Sequence, residues 1–360
     1  MCTRKNCVIC DSVIIPFSRF KHPVYDCISI GQQNNTWDIE YGYCNQCFSV
    51  QLTKLADPLV LYDKNYTQPL HYTYLWIQHN ISFIKFIIDH YNSDIHSSIL
   101  EIGSSSFCLG KHLFHYYKDY TVFDYSLEQA VKIDNVHYIE GNCEVYPFQT
   151  ETIVLSHVFE HLYEPKLFLQ NCLQHHVKNI FIAVPSMNKL DSFHIGNQHT
   201  FSYNEHDIEY IFGLFQYKLV RLIKWDSVDT SFPCLFCYFT LTDKVIPIER
   251  PIFQRHLFSI DFLTNNIVVP KRTFLATCGM FSVISYSRIQ NKEDVVGVID
   301  VNPTKHGKLF SCTELLVYPY EHLQEGDSIL VIHPKKDNII RMVQSMHKNI
   351  HILQINNDSP

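Results

Sequence analysis

The sequence predicts an α/β protein. A small cysteine-knuckle unit comes first, then a central unit on a doubly wound, mostly parallel sheet, then a smaller α/β unit. Three observations predict this. Two C-x2-C pairs fall within the first sixty residues. Short apolar runs alternate with helical patterns from Ile99 to about residue 243, as consecutive βα units do. The alternation resumes after residue 250. The expected boundaries are 1–60, 61–245 and 250–360.

The 360 residues are 46% hydrophobic and 18% charged, so the chain can bury a core large enough for two or three domains. A net charge of −7 argues against a nucleic-acid backbone as the main partner, which would call for a basic stripe. No run reaches the roughly 18 uncharged apolar residues that a membrane helix needs. The opening MCTRKNCVIC has no apolar signal segment, and a cytoplasmic protein is the expectation. Thirteen scattered cysteines fit metal ligands plus buried thiols in a reducing compartment better than a disulfide framework. No pattern in the sequence specifies an oligomeric state.

In the first unit, Cys7 and Cys10 are followed after 33 residues by Cys44 and Cys47. Each pair makes a knuckle that aims two sulfurs at one point, and two knuckles complete a tetrahedral thiolate site suited to zinc. Four buried free cysteines are the alternative. A closed shell of four thiolates leaves no position for chemistry, so such a metal would fold the segment.

Residues 62–98 carry Tyr62, Tyr66, Tyr72 and Tyr74, then Trp76, Ile77, Ile81, Ile84, Ile87 and Ile88 at helical spacing. A long helix leading into the sheet is expected. The tyrosines serve packing or line the pocket of a polyhydroxylated ligand.

The stretch ILEIGSSSFCLGKHLFHYYKDYTVFDYS, residues 99–126, reads as strand, tight turn, helix and second strand, ending on Asp124. In an open α/β sheet this unit binds nucleotide-like ligands. Gly103 permits close backbone approach and Asp124 accepts hydrogen bonds from ribose hydroxyls. An ordinary βαβ unit with a chance acid has the same local pattern, so this stretch alone leaves both readings open.

Thr152–Ser156 is a short buried strand with His157–Glu160 at its carboxyl end, and Pro165 opens an amphipathic helix. Asn179–Val184 is a further strand, and TSFPCLFCYFTLTDK closes the unit as another. Cys234 and Cys237 repeat the C-x2-C spacing without a second pair and read as packing residues. Between these strands, His194, His199 and His206 lie in a loop and helix start, with Asn204 as N-cap. Histidine suits proton transfer near neutral pH, although a hydrogen-bonded loop histidine is the commoner case. The C-terminal unit reads as strand, turn at Gly279, helix, a strand ending at Asp300-Val301-Asn302-Pro303, then strand, helix and strand. Gly279 alone favours a structural or substrate-covering role over a second nucleotide site.

Taken together, the units resemble, over essentially the whole chain, the deoxysugar C-methyltransferases of antibiotic and surface-polysaccharide pathways. Those proteins join an N-terminal zinc-binding domain, a central S-adenosylmethionine-binding Rossmann-type methyltransferase domain and a smaller C-terminal Rossmann-like α/β domain. The family's zinc pairs match Cys7, Cys10, Cys44 and Cys47. Its E-I-G-S motif matches Glu101-Ile102-Gly103-Ser104, and its H-x-L-E-H stretch is similar to His157–His161. Its D-x-N-P-x-K-x-G signature is present as Asp300 to Gly307. The resemblance implies S-adenosyl-L-methionine and a structural zinc as cofactors, with a nucleotide-linked (keto)deoxysugar as substrate. It assigns the methyl-donor site to Glu101, Gly103, Ser104, Asp124 and His157. It makes His199 the general base that removes a proton beside the sugar ketone, with Gln198 beside it and Tyr66 facing the substrate. The sequence departs from the family at Ser105-Ser106-Phe107, where N-D-G is usual, and at Gln198, where the family has Glu. The alternatives are O- or N-methylation of a sugar, or a catalytically silent binding protein of the same fold.

Overall fold

A computed structural model describes residues 2–23, 25–47, 49–61, 74–90, 98–104, 109–127, 130, 132–186, 198–201, 203–225, 233–244, 246, 266–311, 313–331, 336–346 and 349–354. Tyr66, Phe107 and His194 lie outside them. The chain divides into two compact units. The first comprises Met1–Ser18, Glu40–Lys189 and Gln198–Arg255; the second is built chiefly from Arg19–Ile39 and His256–Pro360.

The N-terminal segment carries β1 (Cys2–Thr3), β2 (Ile14–Pro23), β3 (Cys27–Ile28), β4 (Thr36–Cys44), β5 (Val50–Leu52) and β6 (Lys54–Leu55). β1 pairs with β6, and β2, β4 and β5 form a three-stranded sheet. A short helix, α1 (Pro58–Leu61), follows.

The long helix expected after it is present as α2 (Tyr74–His90). Its buried face holds Ile84 and Ile87 but not the other isoleucines. Ile77, Ile81 and Ile88 are 45%, 50% and 39% exposed, while His79, Phe83, Ile84, Phe86 and Ile87 are buried. The helix has apolar residues on most of its circumference, so periodicity alone admits several faces. The aromatic face of the sheet selects one of them: Phe83 packs 5.0 Å from Phe236 and Phe86 packs 6.1 Å from Phe181, ring centre to ring centre.

The first unit is organised on seven strands: β7 (Ser98–Ile102), β8 (Asp119–Asp124), β9 (Val136–Glu140), β10 (Thr152–Ser156), β11 (Asn179–Pro185), β12 (Tyr217–Trp225) and β13 (Cys234–Leu241). Their order in the sheet is β12-β13-β11-β10-β7-β8-β9. β7 to β11 are parallel, and β13 runs antiparallel between β11 and β12. This is a doubly wound, Rossmann-like parallel sheet finished by an antiparallel hairpin. β10 and β11 are nearly continuous apolar runs buried on both faces, as central parallel strands must be.

Among the described residues, the helical segment expected after Gly103 comprises α3 (Gly110–Leu113) and a 3-10 turn, Phe114–Tyr116. α4 (Pro165–Gln174) has Pro at its first turn, where the missing N–H has no intrahelical partner. α5 (Glu205–Gly213) starts with a full capping box: Asn204 accepts from the Asp207 N–H, and Asp207 accepts from the Asn204 N–H.

The second unit has its own parallel sheet, with β14 (Thr273–Ala276), β15 (Val295–Ile299), β17 (Val317–Tyr318), β18 (Ser328–Val331) and β19 (His351–Gln354) in the order β17-β15-β14-β18-β19. α6 (Met280–Arg288) and α7 (Lys336–Ser345) connect its strands. β16 (Leu309–Phe310) pairs antiparallel with β3, so residues 27 and 28 belong to this unit. The Asp300 signature ties strand ends together. The Asp300 carboxylate accepts from the N–H groups of Cys278 and Asn302, and Lys305 donates to the Cys278 carbonyl at 2.5 Å. Gly279 is extended, with φ −170°, so no left-handed turn requires a glycine there. Among the described residues, no helix is long and apolar enough to cross a membrane.

Candidate active site

Strand order reverses direction at β7. The chain winds outward to β8 and β9 on one side and then returns to β10 on the other. In open α/β sheets the crevice beyond the carboxyl ends at such a switch point receives the ligand. Three residues singled out from the sequence meet there: Gly103 after β7, Asp124 at the end of β8 and His157 after β10.

Gly103 is required twice over. Its φ is +81°, in the left-handed region, and an added Cβ would lie 2.3 Å from Val158 Cγ2. Its N–H donates to the Phe123 carbonyl at 2.8 Å, which fixes the turn beside the tip of β8. Asp124 is half-buried, and its Oδ1 accepts from the Tyr125 N–H at 2.7 Å. Ser104 is buried. Glu101 is buried inside the sheet and accepts from the Tyr120 hydroxyl at 2.6 Å. Burial pushes its carboxyl up to about 7.

His157 has φ +55°, which an ordinary side chain adopts only under local constraint. Its N–H bonds the Ala183 carbonyl at 2.8 Å, so the turn is pinned to the end of β11. Four histidines and one acid run outward from this point. His157 Nε2 lies 3.1 Å from His79 Nε2, and His157 Nδ1 lies 3.2 Å from Glu160 Oε1. Glu160 Oε1 is 3.9 Å from His161 Nε2, and the His161 and His199 rings meet edge to face at 4.9 Å. Burial drives the His157 imidazole down to about 3 and raises the Glu160 carboxyl to about 7. The donor atoms of Glu160, His161 and His199 all lie within 4.8 Å of one another.

The loop that carries Gln198 and His199 is held from two sides. Thr200 bonds the carbonyls of Glu160 and Leu162 through its N–H and hydroxyl, at 2.9 and 2.6 Å. From the N-terminal segment, the Leu52 N–H donates to the Thr200 carbonyl at 2.9 Å, and Gln51 forms a β-bridge with Phe201.

Cys7, Cys10, Cys44 and Cys47 converge as the spacing predicts. Their sulfurs all lie within 4.8 Å of one another, with Cys7–Cys47 at 3.6 Å and Cys10–Cys44 at 3.4 Å. Ligand edges in a tetrahedral zinc–thiolate site are about 3.8 Å, from a Zn–S bond of about 2.3 Å. Backbone N–H groups of Ile9, Gln46 and Cys47 and the Gln51 amide donate to these sulfurs, which favours thiolates. The Cys7 thiol is pushed down to about 6, first by its hydrogen bond with Cys10. The donor set suits a dication.

Sequence reasoning did not find His79, Cys234, Arg4 or the role of Glu160. These residues come from separate elements, and nothing in their spacing links them. The one available signal was a histidine, His79, on the buried stripe of α2.

No family model matches the chain, and no curated protein matches it in sequence. Among solved structures, the chain is similar to magnesium protoporphyrin IX methyltransferase from Synechocystis PCC 6803 with bound SAH (S-adenosylhomocysteine), with a TM-score of 0.39 and 10% identity over 50% of this chain and 91% of that one. An S-adenosylmethionine-dependent methyltransferase from Clostridium acetobutylicum gives 0.37 and 11%, over 45% of this chain and 90% of that one. A SAM-dependent methyltransferase from Aquifex aeolicus gives 0.36 and 15%, over 44% and 89%.

Proposed function

We propose that the chain is an S-adenosylmethionine-dependent methyltransferase acting on a nucleotide-linked ketodeoxysugar, with transfer to the carbon beside the keto group. One observation carries this reading. A glycine that tolerates no side chain stands at the switch point, an acid ends the next strand, and the turn after β10 begins a histidine–carboxylate chain that ends on His199. The motif resemblance at Glu101–Ser104, His157–His161 and Asp300–Gly307 supports the substrate class.

In this reading Gly103 and Ser104 let the backbone approach the donor, and Asp124 accepts from its ribose hydroxyls. When bound, S-adenosylmethionine supplies an electrophilic methyl group; the protein supplies orientation and the proton acceptor. His199 removes the proton beside the ketone. The acid missing at Gln198 is replaced through space, since Glu160 lies against His161 and His161 packs on His199. A carboxylate there holds the intervening ring in one orientation and favours the charged state that His199 passes through. The four cysteines would hold a structural zinc beside β5, and β5 in turn holds the His199 loop.

The test is calorimetry of the full chain with S-adenosylhomocysteine, paired with mass spectrometry of a nucleotide-linked ketodeoxysugar incubated with S-adenosylmethionine. Micromolar binding and gain of one methyl group are expected, and His199→Ala keeps the binding and loses the transfer. Absence of heat at millimolar ligand would overturn the methyltransferase reading, and near-normal turnover in the variant would overturn the base.

A further inference from the structure

We propose that His79, His157 and Cys234 form a second metal site, distinct from the four-cysteine cluster, that binds zinc through two imidazoles and one thiolate. The three residues come from α2, the turn after β10 and the first position of β13, all within the first unit. Cys234 lies opposite Pro185 at the carboxyl end of β11, so the three side chains converge at the edge of the sheet where His157 emerges.

The argument begins with the ring protons. His79 Nδ1 faces Asn80 Oδ1 at 3.2 Å, and His157 Nδ1 faces Glu160 Oε1 at 3.2 Å. Both partners offer an acceptor oxygen when Glu160 is ionised, and a ring that donates to it from Nδ1 presents a lone pair on Nε2. The two Nε2 atoms nevertheless stand 3.1 Å apart. Two lone pairs at that separation repel, and a cation between them turns the contact into coordination.

The spacing also fits. Zinc bonds of about 2.0–2.1 Å to nitrogen and about 2.3 Å to sulfur give tetrahedral edges of about 3.3 Å for N–N and about 3.6 Å for N–S. The observed separations are 3.1 Å for His79–His157 and 3.8 Å for Cys234 Sγ to His157 Nε2. All three donor atoms lie within 4.8 Å of one another.

The surroundings are those of a built site. Glu160 is the carboxylate that orients a metal-bound imidazole from behind and makes its nitrogen a better ligand. Trp76, Trp225 and Phe236 wall the cluster, with ring centres 5.1, 5.2 and 5.2 Å from that of His79. An apolar wall limits water access and strengthens the interaction of the ion with its ligands. Three protein ligands leave a fourth position open, as catalytic zinc sites do, for water or a ligand oxygen. The ion would thus sit on the same turn as Val158, which packs against Gly103 at the switch point.

The deciding measurement is metal stoichiometry in the full-length protein. Wild type purified with zinc should carry two equivalents per chain by plasma mass spectrometry. Cys234→Ser and His79→Gln should each carry one, and Cys44→Ser should lose the other. Demetallated wild type titrated with cobalt should develop thiolate-to-cobalt absorption in two steps, so the decision does not depend on a variant folding. One equivalent in wild type, or a single cobalt step, overturns the proposal. So does a second equivalent that survives both Cys234→Ser and His79→Gln but is lost in His161→Gln, which would move the ion to the Glu160–His161–His199 cluster. Each readout is metal content, independent of whether the chain transfers methyl groups.

Discussion

The Arg4 guanidinium donates to the Thr200 carbonyl at 2.9 Å and, from its other terminal nitrogen, to the Tyr163 carbonyl at 2.6 Å. One buried cation therefore joins the N-terminal segment to both loops that carry the candidate catalytic histidines. Tyr163 lies two residues past His161, and Thr200 directly follows His199. Arg4→Ala takes the donor from the Tyr163 carbonyl in a region too enclosed for easy rehydration, at about 1–3 kcal/mol, while the Thr200 carbonyl keeps the Leu52 N–H. A loss of about 2 kcal/mol in urea unfolding is expected, with slower turnover and little change in S-adenosylhomocysteine affinity. A cost below about 1 kcal/mol would mean that water takes over the guanidinium's role.

The cysteine cluster reaches the same loop by another route. β5 continues from the second knuckle, and its Gln51 donates to Cys7 Sγ at 2.8 Å while its backbone bridges to Phe201. Structural zinc contributes on the order of 10 kcal/mol in small sites, and a metal bound here would help to hold the His199 loop through β5. Cys44→Ser should release the metal, lower the melting temperature and speed proteolysis near residues 198–201. A variant that keeps stoichiometric metal at this cluster would contradict the four-cysteine assignment.

The sequence and the structure agree most closely where the signal is local. The run from Ile99 to Asp124 gave two strands and a glycine turn because short-range sterics decide them, and Asn204 gave a capped helix for the same reason. Disagreement begins where a third element decides. The apolar spacing of α2 singled out no one face, and the aromatic residues of the sheet selected it. His79, His157 and Cys234 meet only because β13 inserts antiparallel beside β11, a pairing that leaves no mark in the spacing. Arg4 is similar: a lone arginine in a polar stretch becomes a buried clamp through partners 159 and 196 residues away.

Gly103 offers a separable test of the turn. Gly103→Ala adds a Cβ at 2.3 Å from Val158 Cγ2 and places it at φ +81°. The left-handed backbone costs about 1 kcal/mol for alanine, and the overlap adds about 1–3 kcal/mol more. Val158→Ala in the same chain removes the atom in the way and should recover the second part but not the first. A double variant no more stable than Gly103→Ala alone would show that the backbone conformation carries the whole effect. Loss of S-adenosylhomocysteine binding should follow the overlap, because the side chain pushes the β10 turn away from the crevice.

Glu101 makes stability depend on pH in a defined direction. Its carboxyl is pushed up to about 7 by burial, against 4.5 for an exposed glutamate, and the Tyr120 hydroxyl only partly offsets this. Between those values the folded chain holds a proton that the unfolded chain has released. The contribution of this group to stability is therefore fully present below pH 4.5, falls as pH rises toward 7 and is flat above. A displacement of this size corresponds to about 3 kcal/mol across the window. Glu101→Gln keeps the shape and stays neutral, so its unfolding free energy should lack that slope and exceed wild type at pH 8 while matching it near pH 4. Chemical denaturation of both proteins across this range measures the difference. Parallel curves would mean that Glu101 is ionised in the folded sheet at neutral pH, and Tyr120 would then be its charge-stabilising donor.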